Sequence, residues 1–373
     1  MHPRSLRRAA PAIAAACAIA LAGTVLAPGT GSAHQTSDRS RHRLEIGVFG
    51  DMPYGPYGRE HFPAVLTDIN RARLDFSVFV GDTKNGSDPC FADPHPSDAG
   101  NPTADLAVAD AAHPDVYKAA LRAFNSLTRP LVYVPGDNEW TDCDRTTITD
   151  GRSSDSSDRL AYLRSLSYPT DRSLGRHTIR LTRQSARYPE NVRWRRGPVT
   201  FIALNIPGSD NNFSLGGKEG PAAQAQAEYA ARNAANLRWL RRGFASARNR
   251  HSEGVAIFIQ ADMWDPAASS LAHYADTKEE LFRQTTSFRG QVLLVNGDSH
   301  HFVVDKPLTD YATTNAAGEE GPNTVENFTR TTGFGEDQNH WSSITVDRRD
   351  PNLFAVHQHI IRRNVPRYTP PAG

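Results

Sequence analysis

The segment that decides the fold reads Leu44-Glu45-Ile46-Gly47-Val48-Phe49-Gly50-Asp51, an apolar run that ends in a glycine and an aspartate. The same order of apolar run, glycine and aspartate returns in Phe76–Asp82, Leu131–Asp137 and Val292–Asp298. Short runs of Val, Ile, Leu and Phe bounded by turn residues are typical of buried parallel strands. Together with the helix-like segments between them, these runs predict a layered α/β fold.

The side chains that end these strands are the candidate functional residues. Ligands bind outside the carboxyl ends of the strands in an open α/β sheet, so we expect all four loops to leave one edge of one sheet. The crevice at that edge would collect Asp51, Asp82, Asp137, Asp298 and His300. Clustered carboxylates repel one another unless some are protonated or a metal ion lies among them, and the mixture of Asp, Asn and His favours a metal. Taken singly, each aspartate is equally consistent with a cap on the following helix.

The order of these segments resembles that of the calcineurin-like metallophosphoesterases over Leu44–His359. That family carries Asp-x-His, Gly-Asp, Gly-Asn-His-Asp/Glu, a lone His and Gly-His-x-His at successive strand ends. Asn236–Leu240 is also similar to the helix before the lone-His strand. The resemblance implies a sandwich of two mixed β-sheets flanked by helices. It also implies a two-metal centre with a bridging aspartate, where a metal-activated water attacks the phosphate.

Three residues match the family's motif position by position. Asp51 matches the first ligand, Asp82 the bridging carboxylate and His300 the last histidine. The departures are Pro53 for the first histidine, Asp137 for the asparagine ligand, Asn138 for the histidine that assists the leaving group, Gln260 near the lone histidine, and Asp298 for the first histidine of the final pair.

These replacements change the metal that the site would favour. The predicted metal ligands are Asp51, Asp82, Asp137, Gln260, Asp298 and His300. Because oxygen donors dominate this set, it favours Mg²⁺, Mn²⁺ or Ca²⁺ over zinc or iron, with one or two ions bound.

Three residues are candidates for the catalytic and substrate-binding roles. Asn138 stands at the leaving-group position but cannot take or give a proton, so His301 or solvent would have to protonate the leaving group, or the leaving group would have to depart without help. Asn138 and Lys84 are also predicted to contact the substrate, since a lysine suits a phosphate. The competing interpretations are an ordinary exposed lysine, and a surface pair formed by His300 and His301.

The chain begins with a segment that is predicted to direct export. Arg4, Arg7 and Arg8 precede an apolar stretch, and small residues lead to Ala33, so residues 1–33 favour a signal peptide over a stable membrane anchor. We then expect a disordered leader over 34–43, a single domain over 44–361 and a loose tail over 362–373.

Charge and cysteine content limit the function classes further. The formal net charge of the 373 residues is +1. Loss of three arginines with the signal leaves about −2, which gives no basic surplus for nucleic-acid binding. Of the three cysteines, Cys17 lies in the signal. Cys90 and Cys143 are therefore predicted to form a disulfide in an oxidising compartment, with two free thiols as the alternative.

The remaining pattern predicts helices over Phe62–Ala72, Pro114–Leu127, Asp158–Leu166 and Ala222–Arg248, and strands over Val199–Ile206 and Val255–Ile259. Arg176–Leu181 and Val192–Arg196 are predicted to form a small hairpin over the site. Ser342–Val346 and Leu353–His359 are predicted to be antiparallel strands of a second sheet. The stretch 86–112, rich in Pro, Asp and Gly, is predicted to be a lid or rim of the site.

These observations lead to the hypothesis of a secreted, metal-dependent phosphoesterase that hydrolyses a phosphate ester, with a phosphorylated small molecule as its partner. The alternative is a catalytically degenerate protein of the same fold that binds a phosphorylated or carbohydrate ligand or a partner. The alternative is motivated by the four replaced histidine positions, and the fold alone does not exclude it.

Overall fold

The computed structural model describes residues 43–91, 115–148, 153–213, 222–310 and 321–366. All of these ranges belong to one compact unit, His42–Gly373. The predicted export signal and most of the leader, the larger part of the predicted rim loop and the end of the predicted tail lie outside the described residues. No helix in the described ranges is both long enough and apolar enough to cross a bilayer.

The described strands are, in chain order, β1 (Arg43–Phe49), β2 (Phe76–Phe79), β3 (Leu131–Tyr133), β4 (Thr182–Arg183), β5 (Val192–Arg196), β6 (Val199–Ala203), β7 (Gly254–Phe258), β8 (Gln291–Asn296), β9 (Val303–Asp305), β10 (Thr309–Asp310), β11 (Asn323–Thr324), β12 (Phe328–Thr332), β13 (Trp341–Asp347) and β14 (Phe354–His359). The longer described helices are α1 (Gly55–Arg71), α2 (Val116–Asn125), α3 (Ser156–Ser167), α4 (Ala222–Asn249) and α5 (Ala275–Thr286).

The first sheet has the strand order β14-β13-β1-β2-β3. Strands β1, β2 and β3 are parallel, and Phe49 at the end of β1 lies beside Phe79 at the end of β2. Strands β13 and β14 pair antiparallel, as predicted, but β13 joins β1 in this first sheet. Because β1, β2 and β3 point the same way, the loops that carry Asp51, Asp82 and Asp137 leave the sheet at one edge.

The second sheet has the strand order β4-β5-β6-β7-β8-β12-β9, and its four strands β6, β7, β8 and β12 are parallel. Strand β7 leads to Gln260 and β8 leads to Asp298. The expectation that all four Gly-Asp loops leave one sheet is therefore wrong. The carboxyl edges of the two sheets meet instead, and the backbone N–H of Asp298 donates to Asp51 Oδ1 at 2.9 Å across this junction.

The two sheets pack face to face over an apolar core. Val48 and Val78 of the first sheet belong to the same buried cluster as Phe201, Phe258 and Leu293 of the second. Helices α1, α2 and α3 pack on the other face of the first sheet, and α4 and α5 pack on the other face of the second. Burial of each such side chain stabilises the fold by about 1.5–3 kcal/mol. The predicted sandwich of two mixed sheets flanked by helices is confirmed.

The predicted hairpin between Arg176–Leu181 and Val192–Arg196 is present in part: Val192–Arg196 is strand β5, but its antiparallel partner is β4, which directly follows Leu181. Strand β5 also pairs with β6, with Arg196 beside Val199, so the connection between them contains two residues. Its first residue, Gly197, has a φ of +52°, which a glycine adopts without the steric cost of a side chain. This tight turn joins β5 to β6, and the short strand β4 pairs with the opposite edge of β5.

The predicted helices are present with shifted ends. Helix α1 begins at Gly55 rather than Phe62 and includes Pro63 within it. Helix α4 buries Leu240 and Phe244 against the second sheet. Helix α5 was not predicted.

Candidate metal centre

Asp51 is held at the junction of the two sheets by its backbone and by its side chain. Its φ of +50° turns the chain sharply after β1, and its N–H donates to the carbonyl of Gly81 at 2.8 Å. The carboxylate is fully buried, and Oδ1 accepts the N–H of Asp298. Its other oxygen, Oδ2, is buried and has no hydrogen-bond partner among the described residues. One oxygen of Asp51 is therefore left to bind a ligand.

Three other carboxylates form a tight group at the same junction. Asp82, Asp137 and Asp298 each place one oxygen within 4.8 Å of the others. Close backbone approach makes this possible: a Cβ at Gly136 would lie 1.9 Å from Asp82 Oδ1, and one at Gly208 would lie 2.4 Å from Asp298 Oδ1. Both glycines are therefore required by the crowding of the carboxylates, since any side chain there would collide with them.

The amide of Gln260 lies among these three carboxylates. Its nitrogen is 3.0 Å from Asp82 Oδ2, 2.9 Å from Asp137 Oδ1 and 3.1 Å from Asp298 Oδ1. Its oxygen accepts the N–H of Gly208, which fixes the orientation of the amide. Gln260 was predicted to be an oxygen ligand, but in this orientation its nitrogen faces the carboxylates.

Burial makes this group of charges costly. Burial is the main cause that raises the pKa of Asp51, Asp82 and Asp298 well above the usual value of an aspartate. The negative charge of Asp137 is the next cause that raises the pKa of Asp82 and Asp298. No lysine or arginine among the described residues forms an ion pair with these three or with Asp137, whereas nearby Asp262 pairs with Arg330. Clustered oxygen donors that no described lysine or arginine pairs with fit a divalent cation.

His300 and His301 follow the same strand but lie in different surroundings. The Nε2 atom of His300 is 3.6 Å from Asp51 Oδ1, and its Nδ1 atom is 3.3 Å from an oxygen of Glu336. The ring packs edge-on against Tyr54, with centroids 5.3 Å apart. His301 is exposed, and no hydrogen bond or ion pair links it to the aspartates. The structure thus brings His300, but not His301, to the carboxylates.

Asn138 positions a tyrosine that the sequence analysis missed. Its amide nitrogen donates to the Tyr54 hydroxyl at 2.8 Å and to the carbonyl of Lys84 at 3.0 Å. The hydroxyl of Tyr54 in turn donates to Asp82 Oδ2 at 3.2 Å. Burial raises the pKa of Tyr54 well above its usual value, with Asp82 as the next cause, so the phenol stays protonated and can donate. No sequence motif marks Tyr54, which lies three residues after Asp51.

Lys84 is buried and turned towards its own loop. Its ammonium group donates to the carbonyls of Asn85 and Asp88, at 3.0 and 2.7 Å, and burial lowers its pKa. The contacts of Lys84 therefore order the loop after Asp82 in this structure. The predicted disulfide between Cys90 and Cys143 is present and joins that loop to the one after Asp137, with Cα atoms 5.6 Å apart.

Glu139 fixes two of the metal-site loops through their backbones. One of its oxygens accepts the N–H of Thr83 at 2.7 Å, and the other accepts the N–H of Gly136 at 3.0 Å. Those two amides lie next to Asp82 and Asp137 in the chain. Glu139 therefore orients the candidate ligands through the backbone beside them.

A second contributor that the sequence analysis missed is Ser209. Its hydroxyl lies 2.5 Å from Asp137 Oδ2 and 2.7 Å from Asp142 Oδ1. Ser209 opens a run of four residues with positive φ that ends at Asn212. Four consecutive non-glycine residues rarely adopt that conformation, so the sequence does not predict it. The signal that the sequence carries is weaker: Gly208, Asn211 and Asn212 indicate a turn, but not the place of the Ser209 hydroxyl.

The fold and the carboxylates together define a layered α/β protein with an acidic site at the meeting edges of its two sheets. Its fold is similar to that of a dimetal phosphatase from Danio rerio, with 11% identity, a TM-score of 0.47, and coverage of 85% of this chain and 99% of that chain. It is also similar to GAP50, the anchor in the inner membrane complex of Plasmodium, with 9% identity, a TM-score of 0.43, and coverage of 86% and 89%. No family model and no curated protein matches the chain. The function is therefore argued from the site itself.

Proposed function

We propose that this chain is a metal-dependent phosphoesterase of the metallophosphoesterase type. The observation that carries the proposal is the group formed by Asp82, Asp137 and Asp298, whose oxygens lie within 4.8 Å of one another beside the buried Asp51. Carboxylates without a described cationic partner support the binding of a divalent cation, with Mg²⁺, Mn²⁺ or Ca²⁺ favoured.

The residues at this junction divide the work between binding and orientation. Asp51, Asp82 and His300 would hold a cation, and a bound divalent cation would supply positive charge to the phosphoryl oxygens and acidity to water. Asn138 holds the hydroxyl of Tyr54 towards Asp82, which fixes the direction of that carboxylate. The substrate that this chemistry serves is a phosphorylated small molecule.

Protonation of the leaving group constrains the choice of substrate. The amide protons of Asn138 are engaged by Tyr54 and by the Lys84 carbonyl, and an amide cannot act as an acid. His301 or solvent is left to supply the proton. We therefore expect esters with good leaving groups, such as aryl phosphates, to be hydrolysed faster than alkyl phosphates.

The place of action is proposed from the covalent structure. The disulfide between Cys90 and Cys143 suits an oxidising compartment, and the predicted export signal would deliver the chain there. We therefore propose that the enzyme works outside the cytoplasm, as a secreted or cell-envelope protein.

A second candidate function is a binding protein that has lost catalysis. The observation that favours it is the amide of Gln260, which already lies among the three carboxylates. Such a protein would bind a phosphorylated ligand, a carbohydrate or a partner without turning it over. It predicts that a ligand raises the unfolding temperature while no metal produces hydrolysis.

The test is a comparison of the unmodified protein with Asp82→Asn. The metal-stripped, disulfide-intact protein is supplied with Mg²⁺, Mn²⁺ or Ca²⁺, and both metal binding and hydrolysis of an aryl phosphate are measured. We expect Asp82→Asn to weaken metal binding at least ~10-fold and to reduce turnover ~100-fold or more, because a carboxylate ligand is lost. Retention of turnover in this variant would overturn the assignment.

A matched control shows that the effect is local. Asp171→Asn makes the same change at an exposed carboxylate that is not one of the candidate ligands. Asp171 pairs with the exposed Arg180. It should leave both metal binding and turnover unchanged, because exposed pairs of this kind contribute little to stability. Metal binding without turnover in the unmodified protein would favour the second candidate.

A further inference from the structure

The contacts of Gln260 bear on how many cations the proposed site holds. Its amide nitrogen lies 2.9–3.1 Å from an oxygen of each of Asp82, Asp137 and Asp298. A divalent cation bound by the same three oxygens would lie about 2.0–2.6 Å from each of them. The nitrogen and a cation would therefore occupy nearly the same position, and only one of them can be there.

The amide is held in that position from several sides. Gln260 is fully buried, and its oxygen accepts the N–H of Gly208. A Cβ at Gly81 would lie 2.5 Å from Cγ of Gln260, so its side chain packs directly on that backbone. Rotation of the amide would turn its oxygen towards three carboxylates and leave the Gly208 N–H facing a donor. The nitrogen is therefore fixed among the carboxylates.

A second set of donors lies beside this group. In the part of the chain that the structure describes, Oδ2 of Asp51 is buried and has no hydrogen-bond partner, and the Nε2 atom of His300 lies 3.6 Å from Oδ1 of the same carboxylate. Asp82 adjoins Asp51, since the N–H of Asp51 donates at 2.8 Å to the carbonyl of Gly81, the residue directly before Asp82. The Gln260 amide and the Tyr54 hydroxyl face Oδ2 of Asp82, so its Oδ1, together with Asp51 Oδ2 and His300 Nε2, is left to a cation when the amide is in place.

We propose that the amide nitrogen of Gln260 takes the place of one cation, so that the chain binds a single divalent cation, at Asp51, Asp82 and His300. This inference rests on the proposed metal-dependent function and gives it a stoichiometry. The N–H groups of the amide carry partial positive charge and satisfy two of the three facing oxygens. A neutral group thereby replaces an ion beside Gln260 and Asp298, the two positions where the resemblance places histidines.

The experiment is a measurement of metal stoichiometry in the disulfide-intact chain. Metal-stripped protein is titrated with Mn²⁺ by calorimetry, and the bound Mn²⁺ is counted by elemental analysis and examined by electron paramagnetic resonance. The unmodified chain is compared with Gln260→His, which restores an imidazole donor, and with Gln358→His. Gln358 is exposed on β14 between His357 and His359, so the second variant shows whether a histidine outside the candidate donors adds a bound ion by itself.

We expect one Mn²⁺ per chain in the unmodified protein and in Gln358→His, and two in Gln260→His. Two ions about 3.5–4 Å apart would also give the spectrum of a magnetically coupled pair, which needs no turnover to be seen. Two ions in the unmodified chain would overturn the inference and leave the metal-dependent function standing. One ion in both the unmodified chain and a folded Gln260→His would also overturn it, because the amide would then not be what excludes the second ion.

Absence of binding in the unmodified chain would overturn the inference together with the proposed metal-dependent function. The count in the unmodified chain decides between one and two ions even if Gln260→His does not fold.

Discussion

At the scale of single residues, the site depends on carboxylates that accept backbone N–H groups from loops other than their own. Asp51 accepts from Asp298, and Asp82 accepts from Asn138 at 3.1 Å. Glu139 accepts from both Thr83 and the glycine before Asp137. The bonds of Asp51 and Asp82 tie a candidate ligand to a neighbouring loop, and those of Glu139 tie the backbone beside Asp82 to the backbone beside Asp137. The geometry is therefore set before any metal binds.

Glu139→Gln tests this fixation. The new amide places an NH₂ group opposite one of the two backbone N–H donors, so one hydrogen bond is lost and two donors face each other. We expect the free energy of unfolding to fall by about 1–3 kcal/mol, and the affinity for Mn²⁺ to fall with it, because one of the two loops loses its anchor and leaves a backbone N–H facing another donor. Urea unfolding and Mn²⁺ calorimetry measure the two effects.

Glu279→Gln provides the control for that change, because the Glu279 side chain is 71% exposed and its ion pair with Arg283 is 3.8 Å long. It should change the free energy of unfolding by less than about 0.5 kcal/mol. Equal effects of the two variants would show that Glu139 does not orient the loops.

The residue scale also shows what the sequence could predict. Asp51, Asp82, Asp137 and Asp298 could be found because each follows a glycine at the end of an apolar run, and that pattern is local. The roles of Tyr54 and Ser209 could not be found, because both depend on contacts between loops that are distant in sequence. The orientation of the Gln260 amide depends in the same way on Gly208, which belongs to another loop.

At the scale of elements, the loops after β2 and β3 are fastened by the disulfide between Cys90 and Cys143, which are 53 residues apart. A cross-link of that length stabilises a fold by up to about 4 kcal/mol, chiefly by restricting the unfolded chain. Here it also holds together the two loops that carry Asp82 and Asp137. Stability and metal affinity are therefore expected to depend on the same bond.

The paired variant Cys90→Ser/Cys143→Ser separates this bond from the rest of the site. We expect its free energy of unfolding to fall by about 2–4 kcal/mol and its affinity for Mn²⁺ to fall several-fold, as measured by urea unfolding and calorimetry. The unmodified protein treated with a reductant should show the same two changes. If stability falls and Mn²⁺ affinity is unchanged in both, the disulfide does not organise the site.

The elements also mark the limit of the sequence analysis. The apolar runs predicted the parallel strands correctly, since burial on both faces leaves a continuous signal. They could not show that β1 and β8 belong to different sheets, because the buried parallel strands of the first and the second sheet have the same apolar composition. The pairing of β5 with β6 could have been found, because Gly197 and Pro198 mark a tight turn between two short runs.

At the scale of the whole molecule, the fold brings two sheets together with their carboxyl edges side by side, which concentrates negative charge in a buried region. The apolar core between the sheets opposes that repulsion. Two agents can lower the remaining cost, namely protons and a divalent cation. The stability of the molecule should therefore depend on both together.

This linkage has a definite sign. Burial raises the pKa of Asp51, Asp82 and Asp298 above the unfolded value of about 3.9, so the folded chain holds these protons more tightly than the unfolded chain does. Their contribution to stability is complete below pH ~3.9 and declines as the pH rises through the folded pKa values. A cation competes for the same oxygens and binds only after the protons leave.

We therefore expect the increase in unfolding temperature caused by Mn²⁺ to be small at pH 5 and to grow steadily towards pH 8. Taking the difference between samples with and without Mn²⁺ at each pH removes the contributions of groups elsewhere in the chain. Asp82→Asn should show little increase at any pH, because it lacks one of the carboxylates proposed to hold the cation. A stabilisation by Mn²⁺ that is equal at pH 5 and pH 8 would contradict the coupling, since a cation that displaced no protons would be binding away from the buried carboxylates.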